Sequence, residues 1–521
     1  MRFRMTGKKL AQAAGCAVFC LAVCVTAFRN RSLVLEPVTD FLRGGSSFRD
    51  MTAAVRDNYL DDRFLGKYDL ITLNGGYARL QGRTRYNGVQ LMTNGMLTST
   101  TASMMKTSDF SENLSRFSHW LEDRGIPFLF VMAPFKLPTE ENLLPVGAED
   151  RANDIADQAM AELAELGVPT LDLRKDMSRT REQIEKYFYR TDHHWNADGA
   201  FRAFQLLMEA VRGRFPETLT NCTDAALWEK TVKPDWWLGS DGRRVGPLFG
   251  GTDDLDYILP SFETEMSRYS IGVWTCHGDF REANMREWLM EVSDLFEMDT
   301  YSRYLGGGYA LTLHRNLNAE NHRRITIIRD SFVLPLECFL STEFTSLDVI
   351  DPRLFPLGAG DYVSLNPTDM VIMMIYPEVL PSAYYPYYFP KPGGEPEVTA
   401  DTRWDGFTVA GKGAEDYAAL PAHLEGGKSY ILTLEGVDVK SGTPDGANVV
   451  LYRGDTEVDQ TVFDIGYGNR YGFQWGFRIP EDGEEAGDYE LRFYAGVRGG
   501  TEGMELEYKG IRLRECELGT P

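Results

Sequence analysis

The sequence predicts an α/β domain with a parallel sheet flanked by helices, an all-β sandwich after it and a membrane-spanning helix before it. Three observations carry that reading. From Ser111 onward, helix-like and strand-like stretches alternate in "SENLSRFSHWLEDRG", "IPFLFVMAP", "DIADQAMAELAELG" and "VPTLDL", the βαβ rhythm that lays strands parallel. After "PSAYYPYYFPKPGGEPE", Pro381 to Glu397, short alternating runs such as "KSYILTLEGVDV" and "YELRFYAGV" follow one another between Gly, Asp and Pro turns, the pattern of a β-sandwich. The first residues, "MRFRMTGKK", are basic and lead into the apolar run Leu10 to Phe28.

That run is near the ~20 residues a helix needs to cross the hydrocarbon core. Its basic leader favours a cytoplasmic N-terminus, and its end in "FRNR" favours an uncleaved anchor, while "VTA" just before it leaves a cleaved signal peptide as the alternative. The expectation is a single-pass anchor in the cell membrane over residues 1–28, a membrane-proximal segment over 29–65, and the bulk of the chain extracytoplasmic. The α/β domain is expected over 66–392, because the rhythm returns in "RITIIRDSF", "FTSLDVID" and "DMVIMMIY", apolar runs of the kind buried in mid-sheet. Periodicity weakens between 215 and 322, which reads as an insertion, and the sandwich is expected over 396–521.

Composition narrows the partners. With 54 Lys and Arg against 77 Asp and Glu, the formal net charge of -23 would repel a phosphate backbone, which speaks against nucleic acid. Cys222, Cys276, Cys338 and Cys516, the cysteines beyond the apolar run, are scattered and form no CxxC pair, so neither a structural zinc site nor a disulfide framework is indicated.

The chemistry concentrates in "YRTDHHWNADGAF", Tyr189 to Phe201, which gathers an acid, two imidazoles and an indole. Asn196 reads as an N-cap, and Ala200, Ala203, Phe204, Leu207, Met208 and Val211 form one apolar stripe after it; the Asp-His-His triplet therefore lies in the loop entering a helix. An aspartate there can hold one imidazole nitrogen and leave the other free as a base for a hydroxyl. No G-x-S-x-G elbow is present, but in "RITIIRDSFVLPLECFL" Ser331 stands where a strand, Arg324 to Asp330, turns into a helix. That is the end of the sheet where α/β proteins hold reactive groups and where backbone N–H groups can receive an oxyanion.

"TDHHWN" followed far downstream by "RDSF" resembles the DHHW-motif proteins, an SGNH-hydrolase-like group similar to the periplasmic alginate O-acetyltransferases, which carry Asp-x-His-Trp before Gly-Asp-Ser-Phe. The stretches "NGVQLMTNGML", "FVMAPFK", "LGSDGRRVG" and "VIDPRLF" match in the same order, and the resemblance extends over roughly residues 40–380. It implies Ser331 as nucleophile, His194 as base and Asp192 as the group orienting it. Arg329 stands where the alginate proteins have glycine, which bears on the oxyanion hole.

Around this core, His193 reads as structural or substrate-contacting, since adjacent side chains diverge, and Trp195 as packing more than as a substrate platform. Lys136 in "APFK" and Arg353 in "DPRLF" each follow a predicted strand, so each either reaches the crevice or is a surface charge. In the sandwich, Tyr467, Tyr471 and Trp475 are candidates for stacking on sugar rings, although alternating strand aromatics more often fill a core. A metal at Asp192, His193, His194 and Asp198 would lack a second His/Cys cluster, so no metal and no cofactor is expected.

The function this resemblance implies is transfer of an acyl group, acetyl above all, to hydroxyls of a cell-surface or secreted polysaccharide. Because acetyl-CoA is cytoplasmic, the resemblance also implies a multi-pass membrane O-acyltransferase as the partner that hands the acyl group across. Two alternatives stand beside it: a carbohydrate acetylesterase of the same mechanism, and a non-catalytic polysaccharide-binding scaffold, which Arg329 favours.

Overall fold

The computed structural model describes residues 21, 24–60, 66–215, 221–270, 274–291, 294–296, 299–355, 357–380, 395–411, 413, 415–443, 446–463, 465, 472–479, 486–497 and 502–518. The eight strands of its main sheet are Phe128–Met132 (β1), Thr170–Asp172 (β2), Met266–Ser270 (β3), Trp274–Gly278 (β4), Leu311–Asn316 (β5), Arg324–Arg329 (β6), Ser346–Ile350 (β7) and Met370–Ile375 (β8). Their spatial order is β2-β1-β8-β6-β7-β5-β3-β4. The first five in that order run parallel, with Ile327 opposite both Val349 and Ile372. β5, β3 and β4 join antiparallel.

The sheet is therefore mixed, which corrects the expectation of a parallel one. The correction comes from residues 215–322, read from sequence as an insertion but contributing three strands to the sheet. β3 and β4 are separated by too few residues for a crossover and can pair only as a hairpin. Residues 228–260 add a second hairpin, Trp228–Trp237 against Asp253–Pro260.

Period-two alternation along the parallel strands sorts their side chains onto two faces. Leu129, Val131, Ile325, Ile327, Met370 and Ile372 pack with helices Ala197–Arg212 (α3) and Val333–Leu340 (α4). Phe128, Phe130, Ile328, Val371 and Met373 pack on the other side with Ser108–Glu122 (α1), Ala152–Glu165 (α2) and Ala359–Leu365 (α5). Both faces being covered explains why these strands read as near-continuous apolar runs.

The C-terminal part is β-rich and antiparallel, in two four-stranded sheets and one three-stranded sheet around its own core of Leu432, Val449, Leu491, Phe493 and Tyr508. It is not a separate body. Residues 88–243 and 252–521 form one compact unit. Ile431 and Cys516 are buried in the same cluster as α1, α2 and α5, and the Gly476 N–H donates to Asn366 Oδ1 at 3.1 Å. Tyr384 to Tyr388 of the linker lie outside the described residues.

A second unit comprises residues 1–87 with 244–251. Its described helices include Ser32–Leu42, Phe48–Leu60 and Lys67–Leu80. The transmembrane helix of the expected fold is not upheld: among the described residues no helix is long and apolar enough to cross a membrane. Most of the run Leu10 to Phe28 lies outside those residues.

Candidate active site

Ser331 follows β6 after the single residue Asp330, and the chain turns at Ser331 and Phe332 into α4. The turn is held by Asp330, whose carboxylate accepts the Phe332 N–H at 2.9 Å and the Tyr376 N–H at 2.7 Å. Tyr376 leaves β8, so one side chain ties the ends of two neighbouring parallel strands. Burial pushes the Asp330 carboxyl up to about 6.

The Asp192 loop enters from the other side of the crevice. Its exit is fixed by Asn196, whose side chain accepts the Gly199 N–H at 2.9 Å to cap α3. Every residue of the stripe Ala200, Ala203, Phe204, Leu207, Met208 and Val211 is buried. Gly199 is needed because a Cβ there would overlap the Tyr187 carbonyl and crowd Trp195. Gly239 lets a second segment pass the loop, since a Cβ on it would overlap the Asp192 backbone and Cβ. The adjoining Ser240 N–H then donates to Asp192 Oδ2 at 2.7 Å.

These elements bring three predicted residues into one hydrogen-bonded chain. Asp192 Oδ1 lies 2.6 Å from His194 Nδ1, and His194 Nε2 lies 2.8 Å from Ser331 Oγ. Asp192 and His194 are buried, while Ser331 is half-buried at the crevice. Burial pushes the Asp192 carboxyl up, but the His194 and His193 rings and the Ser240 N–H outweigh it and hold the group well below the usual carboxylate range. An acid kept ionised beside Nδ1 leaves Nε2 as the site that exchanges a proton with the serine.

Lys136, Arg329 and Arg353 are each engaged by protein groups. Lys136 is buried, and its ammonium donates to the carbonyls of Asp192 at 2.7 Å and Arg190 at 3.0 Å. It props the Asp192 loop and does not face the crevice as a substrate cation; burial pushes it down to about 8. Arg329 is fully buried, with its guanidinium directed to Asp351 and Glu337 at 3.4 and 3.6 Å. A charged group without a partner would be too costly inside, so it pairs below the sheet end and does not serve as an oxyanion donor. Arg353 grips Asp351 with two hydrogen bonds of 2.9 and 2.7 Å and is itself partly exposed.

Trp195 is fully buried, edge-on to Phe332, and so packs against the turn that carries Ser331. Trp475 is buried against Phe477 in the C-terminal core, the core-filling place that alternating strand aromatics more often take. Tyr467 and Tyr471 lie outside the described residues. Donor atoms of Asp192, His193 and His194 lie within 4.8 Å of one another, but those of Asp192 and His194 already serve the chain to Ser331.

Sequence reasoning missed Asp253, whose carboxylate accepts the N–H groups of Arg190 and Thr191 and the Thr191 hydroxyl. It lies in a stretch without periodicity, so no pattern pointed to it.

Residues 93–234 match the family model described as the SGNH hydrolase-like domain of acetyltransferase AlgX, a segment that holds Asp192 and His194. The likeness drawn from the motifs is thus borne out at the level of the family. Similar solved structures include Bacillus cereus PatB1 with a sulfonyl adduct, at 21% identity over 59% of this chain and 100% of that one, TM-score 0.48. A DHHW family protein of Eubacterium siraeum is 17% identical over 58% and 95%, TM-score 0.45. Pseudomonas aeruginosa AlgX is 13% identical over 82% and 94%, TM-score 0.34. No curated protein matches the chain in sequence.

Proposed function

We propose that this chain is an SGNH-type O-acyltransferase that moves an acetyl group onto hydroxyls of a cell-surface or secreted polysaccharide outside the cytoplasm. The observation that carries the proposal is the unbroken chain from Asp192 through His194 to Ser331. Ser331 Oγ attacks the acetyl carbonyl and its proton passes to His194 Nε2. Asp192 stabilises the imidazolium. Collapse of the tetrahedral adduct releases the donor's alcohol, which takes that proton, and leaves acetyl-Ser331. A sugar hydroxyl then gives its proton to His194 as its oxygen attacks the ester, and Ser331 is regenerated. The Phe332 N–H is occupied by Asp330, whereas among the described residues no acceptor takes the Ser331 N–H, which makes it the natural donor to the oxyanion. The donor is best supplied by a membrane O-acyltransferase partner, since acetyl-CoA does not leave the cytoplasm.

Water in place of the sugar would make the same site an acetylesterase. Incubation with p-nitrophenyl acetate, with and without oligosaccharide acceptors, separates the two. The proposal expects acetylated sugar to accumulate at the expense of free acetate, and both to vanish in Ser331→Ala. Full turnover by Ser331→Ala would refute the nucleophile, and release of acetate alone with every acceptor would refute transfer.

A further inference from the structure

His194 is held between two rings. On one face the Tyr301 ring lies parallel, with centroids 3.7 Å apart and planes 7° from coincidence. On the other, the His193 ring lies at 3.7 Å and 37°. His193 is kept there by its Nδ1 contact with Ser240 Oγ at 2.9 Å. Burial and then the neighbouring imidazole push His193 down to about 3, so it stays neutral beside a ring that must accept a proton.

Tyr301 does more than stack. Its single hydroxyl proton is shared between the Ser331 carbonyl at 2.9 Å and the Phe332 carbonyl at 3.2 Å, on the backbone that carries Ser331. The short turn Thr300–Arg303 that presents it is anchored independently. The buried Arg303 guanidinium donates to Tyr189 Oη at 2.6 Å and to Asp256 Oδ1 at 3.2 Å. The same Asp256 accepts the Tyr189 hydroxyl and, at 3.1 Å, the N–H of Ala197, where α3 begins. Tyr304, the residue after the turn, accepts the Ile258 N–H at 2.8 Å.

Building on the acyl-transfer reading, we propose that Tyr301 is a positioning residue for the Ser331–His194 pair, its ring setting the plane of the imidazole while its hydroxyl sets the backbone of the nucleophile. One side chain thereby fixes both ends of the 2.8 Å hydrogen bond between them. A hydrogen bond weakens steeply as its angle closes, and an imidazole free to tilt about its side-chain torsion would spend part of its time misaligned with Oγ. Clamping both faces removes that freedom before substrate arrives, which is where preorganised sites gain rate.

The test measures the rate of fluorophosphonate labelling of the full chain, with thermal melting to establish folding. Tyr301→Leu should slow labelling ~10²-fold, the size of effect that small misplacements of reacting groups produce. Tyr301→Phe, which keeps the ring and loses the hydroxyl, should recover most of that loss. In a His194→Ala background Tyr301→Leu should slow the residual labelling far less, because the part that acts through the imidazole is already lost and only the hold on the Ser331 backbone remains. Near-wild-type labelling by folded Tyr301→Leu, or an equal effect with and without His194, would overturn this inference while leaving the triad intact. If Tyr301→Leu fails to fold, Tyr301→Phe decides alone: labelling slowed ~3-fold or more without a change in melting supports the proposal, and unchanged labelling overturns it. Labelling of Ser331→Ala at the wild-type rate would remove the acyl-transfer reading itself, and this inference with it.

Discussion

The parallel and antiparallel halves of the main sheet do different work. The parallel half carries the candidate site at its strand ends: Ser331 after β6, with Tyr376 after β8 and Lys136 in the loop beyond β1 holding the backbone around it. In a parallel array every strand ends on the same side, so groups from several loops converge on one crevice. The antiparallel half has no such common end. Support comes from here and from the separate hairpin Trp228–Trp237 with Asp253–Pro260, through Tyr269 on β3, whose hydroxyl donates to Asp459 of the C-terminal region at 3.2 Å, and through the Asp253 carboxylate under the Asp192 loop. Reactive groups are thus gathered by one topology and braced by the other.

Substitutions at the parallel ends should therefore strike turnover and leave stability nearly alone. Ser331→Ala and His194→Ala should each lower turnover of an acetyl ester by ~10⁴-fold or more, with the double variant little worse, because members of one triad act as a unit. Additive losses, measured by steady-state kinetics beside an unchanged melting curve, would mean that the two residues do not share a step. His193→Ala, which removes one face of the ring clamp but no member of the chain, should cost less than about tenfold.

Gly239→Ala tests whether support can be as costly as chemistry. Its new Cβ would overlap Asp192, and displacing that carboxylate should lower turnover ~10²-fold. Normal turnover would show that the loop has room to yield.

Lys136 gives a smaller effect with a pH signature. Charged, it gives the two carbonyls stronger hydrogen bonds than a neutral amine would, and burial pushes it down to about 8. Turnover should decline as pH rises through about 8, by ~10-fold at most, the cost of losing a charged hydrogen bond. In Lys136→Met turnover should be low throughout and lack that decline. A decline of the same position and size in the variant would assign it to another group.

On the antiparallel side the expected effect is on stability alone. Burial pushes Asp459 up to about 7, above the ~3.9 of an unfolded chain. Between those values the folded state binds the extra proton, so this group lowers stability as pH rises from about 4 to about 7. Asp459→Asn should flatten that part of the melting-temperature profile, by a few degrees at neutral pH in the direction of greater stability, without altering turnover. A steeper profile in the variant would reverse the assignment.

The two halves also differ in how much of them could be read from sequence. The parallel strands are covered on both faces, so they appear as apolar runs, and the capped, striped helix after Asn196 is visible residue by residue. The motif spacing put Asp192, His194 and Ser331 forward, and the fold brings these three together. The antiparallel strands hold buried polar side chains, such as Arg268 in β3 and Thr312 and Arg315 in β5, whose partners are distant in the chain. Without an apolar alternation they pass for loop. Tyr301, Arg303 and Asp253 belong to that silent stretch, which is why the support of the site escaped notice while its reacting atoms did not. The C-terminal region was legible as β structure, but its burial against α1, α2 and α5 depends on single residues such as Ile431 and Cys516, which look like any other strand residue.

The central claim is that Ser331, activated through His194 by Asp192, carries the acetyl group. Wild-type protein mixed with an activated acetyl ester, quenched in acid within the first turnovers and digested, should yield one acetylated peptide by mass spectrometry, the one containing Ser331. The same peptide from His194→Ala should stay unmodified. Equal acetylation of Ser331 in His194→Ala, or an acetyl group found on another residue of a turning-over enzyme, would contradict the account.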